Sequence, residues 1–133
     1  MAQIRGIGGI FFKSNQPETL YAWYEKHLGI AGKPGEGAMF PWRSAADPNI
    51  EQLTVWSIFP TNTKYFGKTN PPFMMNYIVD DLDALLAELR AAGVAVDDKV
   101  EDHEYGKFGW LTDPDGNRIE LWEPKPIAAA PEE

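Results

Sequence analysis

With 133 residues the chain can bury one sizeable core but not two ordinary independent domains, and its 20 Asp and Glu against 12 Lys and Arg set a formal net charge of −8. That field repels phosphate backbones and acidic membrane surfaces, which argues against nucleic acid and membranes as partners. The absence of cysteine excludes disulfides, thiolate metal sites and a cysteine nucleophile, and leaves chemistry to carboxylates, hydroxyls and the two histidines, His27 and His103.

Met1 to Arg5 has no charged region followed by an apolar stretch and cleavage site, and no run approaches membrane-spanning length, so a cytoplasmic protein is expected. From Ile4 to Lys13 apolar residues occupy both parities, the pattern of a strand covered on both faces. Asn15, with Pro17 and Glu18 after it, supplies a helix start, and Leu20, Trp23, Tyr24 and Leu28 form a stripe at helical spacing that Gly29 ends. Lys33 to Gly37 is a turn-rich break. Ala38 to Ser44 and Gln52 to Phe59 read as strands, separated by a loop. Thr61 to Pro72, polar and rich in Gly, Asn and Pro, connects two halves.

The plan then recurs. Phe73 to Val79 is apolar on both parities, Asp80 or Asp81 caps a helix with the stripe Leu82, Leu85, Leu86 and Leu89, and Gly93 ends it. Val94 to Val100 and Gly106 to Thr112 read as strands. Asp113-Pro114-Asp115-Gly116-Asn117 is a turn, and Arg118 to Trp122 is the last strand. One domain over residues 1–124 is expected, built from modules at about 4–60 and 72–124 that share a core, with 125–133 as a flexible tail. Gly6-Ile7-Gly8-Gly9 is no dinucleotide fingerprint, because it lies within a strand instead of following one. Nor is Asp113 to Asn117 a calcium loop: its Gly comes at the fourth position and Pro124 stands at the twelfth.

Trp23-Tyr24-Glu25-Lys26-His27-Leu28-Gly29, Tyr77-Ile78-Val79-Asp80-Asp81-Leu82-Asp83 and the run from Asp113 through Glu120-Leu121-Trp122-Glu123-Pro124 together resemble the vicinal oxygen chelate superfamily. This is the glyoxalase, bleomycin-resistance and extradiol-dioxygenase group, and the resemblance covers almost the whole chain. It implies an α+β fold of two βαβββ modules, a cupped mixed sheet around a central cavity with helices outside, a small-molecule ligand within, and a homodimer. It also places the four metal-ligand positions of metal-using members at Gly9, Thr54, Met74 and Glu120. Only Glu120 is a carboxylate or imidazole, and a divalent site needs about three such ligands. The expectation is therefore metal-independent binding or sequestration of a small molecule, aromatic or cationic, with no cofactor. The alternative is a glyoxalase- or dioxygenase-type enzyme, a lyase or isomerase among them, using Glu120 as base or metal ligand, with Glu51, Gln52, His103 or Glu104 completing a metal site.

Alternation on the last strand puts Ile119 and Leu121 toward the helices and Glu120 and Trp122 toward the cup. A carboxylate beside Trp122 and Trp56 is poorly solvated, which suits it to proton transfer; otherwise it is a surface strand Glu paired with a cation. His103, in a segment before a strand, is a candidate acid, base or anion-binding group, or else an exposed loop histidine. His27, near a helix end, reads as structural. Phe11, Trp42, Thr54, Trp56, Met74, Asn76, Tyr105 and Trp122 are the candidate ligand-binding residues, and Thr54, Trp56 and Ile58 are expected on one inner face. Any one of the aromatics could equally fill core. Gly9 is expected to open space in the cup.

Overall fold

A computed structural model describes residues 3–68 and 70–125. All but the first residue of the expected flexible tail lies outside these. The described elements are β1 (Ile4–Ser14), α1 (Pro17–Leu28), β2 (Ala38–Arg43), β3 (Glu51–Pro60), β4 (Phe73–Val79), α2 (Leu82–Ala91), β5 (Ala95–His103), β6 (Gly106–Thr112) and β7 (Arg118–Pro124). They make an α+β fold with a mixed seven-stranded sheet. After its helix the first repeat carries two strands where the second carries three, and Lys33 to Gly37 contributes an isolated bridge. No described helix is long and apolar enough to cross a membrane.

The described residues form two compact units, one within Ile7–Asn76 and one of residues 3–6 and 77–125, so β1 and β4 are each divided between them. In the first unit the strand order is β2-β3-β1-β4, with β1 parallel and β2 antiparallel to β3. Helix α1 covers one face. Tyr21, Trp56 and Ile58 are its buried core, and Phe12, Leu20, Tyr24, Ile30 and Ala38 pack around them. The Tyr21 hydroxyl accepts the Ile58 N–H at 2.9 Å, which ties the helix to the middle of the sheet.

Two local expectations for α1 are corrected. The N-cap is Gln16, not Asn15, and no side chain caps the helix. Ser14 Oγ accepts the Gln16 N–H at 3.0 Å instead, and Pro17 starts the helix with its φ already set. The buried stripe runs through Tyr21, while Trp23 and Leu28 are 49% and 60% exposed. Trp23 lies against His27 on the solvent side, with ring centroids 5.0 Å apart, so His27 is an exposed last-turn residue. Gly29 ends the helix as expected, at φ 73°.

In the second unit the order is β4-β7-β6-β5. Helix α2 buries Leu82 and Leu86 against Val79, Leu111 and Leu121. Asp81 is its cap, accepting the Ala84 N–H at 3.1 Å, and Glu123 adds a second acceptor for the Leu82 N–H at 2.8 Å. Asp113 closes the β6–β7 turn by accepting the Asp115 and Asn117 N–H groups at 2.9 and 2.8 Å. That turn sets the register Thr112↔Arg118, Trp110↔Glu120 and Phe108↔Trp122.

Candidate functional site

On β7, Ile119 and Leu121 pack in the core under α2, so Glu120 and Trp122 point to the opposite face. Glu120 is only 1% exposed. Its Oε2 accepts the indole N–H of Trp110, directly across the ladder, at 3.0 Å. The Arg118 guanidinium lies 5.5 Å from the Trp110 ring centroid and pairs with Asp97 at 2.8 Å. The arrangement places a buried acid under an indole whose other neighbour is a cation, so Trp110 both orients the carboxylate and shields it from water.

An aromatic group extends this face toward the β5–β6 turn. Phe108 and Trp122 are near-parallel with centroids 5.9 Å apart, Tyr105 stacks on His103 at 5.1 Å, and Phe108 meets both His103 and Tyr105 edge-on. The Trp122 N–H donates to the Tyr105 carbonyl at 3.0 Å. This ring lies so close over Gly106, at φ 144°, that a Cβ there would come within 2.4 Å of the indole nitrogen. His103 closes β5 instead of lying in a preceding loop, and its Nε2 is 2.8 Å from Glu101. Hydrogen bonds from Lys99 and then His103 hold the Glu101 carboxyl below the usual carboxylate range.

In the first unit the expected residues divide between two faces. Because Gly9 pairs with Val55 and Ile10 with Trp56 in a parallel ladder, Gly9, Phe11, Val55 and Ser57 share one face and Thr54, Trp56 and Ile58 the other. The second face is the one α1 covers. Trp56 is therefore core beneath α1, packed with Tyr21 and Ile58, which corrects its expected place on the inner face. Thr54 and Trp42 lie on that face too: Trp42 donates to Thr54 Oγ1 at 2.8 Å, and Thr54 donates to the Ile7 carbonyl. Phe11 and Asn76 remain on the uncovered side with Gly9, and Met74 alternates onto it with Asn76; Met74 and Asn76 are 0% and 2% exposed. Gly9 does not open space. A Cβ there would lie 2.6 Å from the Phe11 ring, which occupies the room the missing side chain leaves.

With this geometry in place, the family comparison is specific. The model of the Glyoxalase/Bleomycin resistance protein/Dioxygenase superfamily matches residues 6–121. The chain belongs to this superfamily. No curated protein sequence matches it. Among solved structures, methylmalonyl-CoA epimerase from Mycobacterium tuberculosis is 21% identical at a TM-score of 0.60, covering 96% of this chain and 93% of its own. Methylmalonyl-CoA epimerase from Streptomyces coelicolor, in complex with 2-nitronate-propionyl-CoA, is 15% identical at 0.67, covering 93% and 100%. 2,2',3-Trihydroxybiphenyl 1,2-dioxygenase from Sphingomonas wittichii is 17% identical at 0.59 and covers 93% of this chain, which spans 42% of that longer protein. At these identities the likeness is one of fold.

The glyoxalase-superfamily metal positions do not assemble a chelate from the residues present. Gly9 offers no donor and sits beneath Phe11, Thr54 lies on the other face with its hydroxyl committed to Ile7 and Trp42, and Met74 is a soft thioether. Glu120 is engaged by Trp110. Among the described residues no three His, Asp or Glu converge elsewhere. Glu51 lies at the start of β3, and His103 and Glu101 pair with each other at the end of β5. Trp110, Arg118 and Phe108 were not singled out from the sequence. Counting back from the Asp113–Asn117 turn would have placed Trp110 opposite Glu120, since a hairpin turn dictates register.

Proposed function

We propose that this glyoxalase-superfamily protein binds a small organic molecule without a metal, and that Glu120 is the polar group that orients it. The observation that carries this reading is the Phe11 ring packed over Gly9, which puts an apolar surface where metal-using relatives place a ligand. Within the second unit, Trp110 on Glu120, together with Phe108 and Trp122, makes a flat aromatic surface beside one buried acid, a combination suited to an aromatic compound. In this reading the candidate contacts are Phe11, Met74 and Asn76 in the first unit and, taken by themselves, Tyr105 and Trp122 in the second, while Trp56 is core beneath α1. The protein acts in the cytoplasm as a homodimer.

A second reading, proton transfer by Glu120 in a metal-free lyase or isomerase, is favoured by that carboxylate's burial, because a poorly hydrated acid exchanges its proton with a bound substrate instead of with water. Mass spectrometry of the protein purified under native conditions, with elemental analysis of the same sample, tests both. An organic molecule retained by the wild type and lost from Glu120→Gln supports Glu120 as the orienting group. Near-stoichiometric Zn, Ni, Mn or Fe would overturn the metal-free reading, and equal retention by both proteins would remove Glu120 from the site. If the retained molecule is turned over by the wild type and bound unchanged by Glu120→Gln, the second reading replaces the first.

A further inference from the structure

The protein's negative charge is unevenly divided. The unit Ile7–Asn76 holds six Lys and Arg against five Asp and Glu, so it is slightly positive within a chain of net −8. Its acids are on α1, in the loops flanking β2 and at the start of β3. From Gln52 to Val79 the only charged residues are Lys64 and Lys68. Among the described residues every ion pair lies in the other unit.

Among the described residues Lys13 differs in where it stands from the other cations outside these ion pairs. It follows Gly9 and Phe11 at alternate positions of β1, so it is on the face left uncovered by α1. At about 3.3 Å of rise per residue its Cα is roughly 7 Å beyond that of Phe11. Its side chain is partly buried and held in place. The ammonium lies 5.1 Å from the centroid of Phe66, a ring with no exposed surface, and donates to Asn70 Oδ1. Phe66 packs on Phe59 at 5.0 Å, and Phe59 on Phe11 at 5.5 Å, so one continuous aromatic wall runs from Gly9 to the lysine. Asn70 is the one described non-glycine residue at positive φ, 53°, a conformation Asn tolerates better than most residues. Among the described residues one ring face and one amide oxygen meet an ammonium that has three donors, and neither neutralises its charge.

We propose that Lys13 is the specificity residue for the ligand of this face, and that the ligand is an organic anion: an apolar or aromatic body lying along Phe11 and Phe59, with a carboxylate or phosphate reaching the Lys13 ammonium. This rests on the small-molecule reading above, and it chooses an anionic ligand over a cationic one. Asn70 and Phe66 position the lysine; they do not read the ligand. A restrained ammonium loses less freedom on binding than the exposed Lys64 or Lys68 would, so the site and not the general field sets the preference.

Three matched probes test it: 2-naphthoate, the neutral 2-naphthalenemethanol and the cationic 2-naphthylmethylammonium, titrated into the full chain by calorimetry. The expected result is naphthoate binding about tenfold more tightly than the alcohol, the cation binding more weakly than both, and the anion preference shrinking as salt rises. Lys13→Gln should abolish the preference while leaving the alcohol's affinity within about twofold, and Lys13→Arg should keep it. The double variant Lys64→Gln with Lys68→Gln removes more charge and should leave it in place. If the alcohol binds but naphthoate has no advantage, the anion proposal falls and the pocket reading stands. If the double variant removes the preference as fully as Lys13→Gln, the charge and not the site is responsible and the proposal also falls. If no probe binds the wild type, both fall. If Lys13→Gln does not fold, the ranking of the three probes on the wild type, and its retention in Lys13→Arg, decide the matter.

Discussion

Two residues show how much a single side chain decides here. Gly9 is compelled by its neighbour: adding a methyl group puts a carbon 2.6 Å from the Phe11 ring and 3.2 Å from Asn76 Cβ. Gly9→Ala should therefore cost about 1–3 kcal/mol by urea denaturation, and much less in a Phe11→Leu background, where the ring is gone. Strict additivity of the two changes would show that the contact is not what constrains this position. Trp110 is the second. Removing its N–H from a carboxyl group that is 1% exposed leaves a buried acceptor oxygen with one donor fewer, so Trp110→Phe should destabilise by about 1–3 kcal/mol although the ring is kept. A melting curve superimposable on the wild type would mean that the Glu120 bond contributes nothing to the fold.

The helices differ in how they begin. In α2 the Asp81 side chain accepts the Ala84 N–H and Glu123 accepts that of Leu82, whereas α1 starts at Gln16 with no side-chain cap. Asp81→Ala should cost about 1 kcal/mol, and Gln16→Asp should gain a few tenths to 1 kcal/mol by supplying α1 with the acceptor it lacks, both read from chemical denaturation midpoints at unchanged slope. Loss of stability in Gln16→Asp would show that from the backbone at position 16 a side chain does not reach the first-turn N–H groups. In α1 the sheet-facing side is chosen by Tyr21, whose hydroxyl finds a backbone partner in Ile58, while the larger Trp23 stays outside with His27. Hydrophobicity alone ranks Trp23 above Tyr21. Hydrogen bonding in the buried position reverses the order.

At the scale of the molecule, several carboxylates titrate low because the folded chain holds them ionised. Asp80 accepts the Gln3 N–H and pairs with Arg5, Glu101 is held by Lys99 and His103, and Asp113 by Asn117. A carboxyl whose folded-state pKa is depressed contributes stability above its unfolded value, near 4, and loses it as pH falls through the folded value. Lys107, raised by its bond to Asp83, acts with the opposite sign: its contribution is present at neutral pH and lost only above about 10, as pH rises through the raised value. The melting temperature should thus be flat from about pH 6 to 9 and drop below about pH 4. Asp80→Asn should make that acid drop shallower. An equally steep drop in the variant would rule out Asp80 as a contributor.

Element types and their ends were written locally and could be read from the chain. Phe73–Val79 and Gly106–Thr112 begin and end where apolar runs and turn residues place them, Asp81 caps α2, and Asp113 closes its hairpin by bonding to its own backbone. The superfamily was legible for the same reason, since its motifs are turns, caps and helix ends in a set order. Glu120 facing away from α2 was legible because Ile119 and Leu121 flank it with hydrophobic side chains. The first unit offered no such contrast. On β3, Thr54, Trp56 and Ile58 alternate with Val55, Ser57 and Phe59, and both sets are largely apolar, so period two defines two faces without saying which one a helix will cover. Only the docking of Tyr21 onto Ile58 makes that choice, and with it puts Trp56 beneath α1, Trp42 and Thr54 on the same side of the sheet, and Phe11, Asn76 and Lys13 on the other side. Faces are determined by contacts between residues far apart in the chain, and those contacts exist only once the chain has folded.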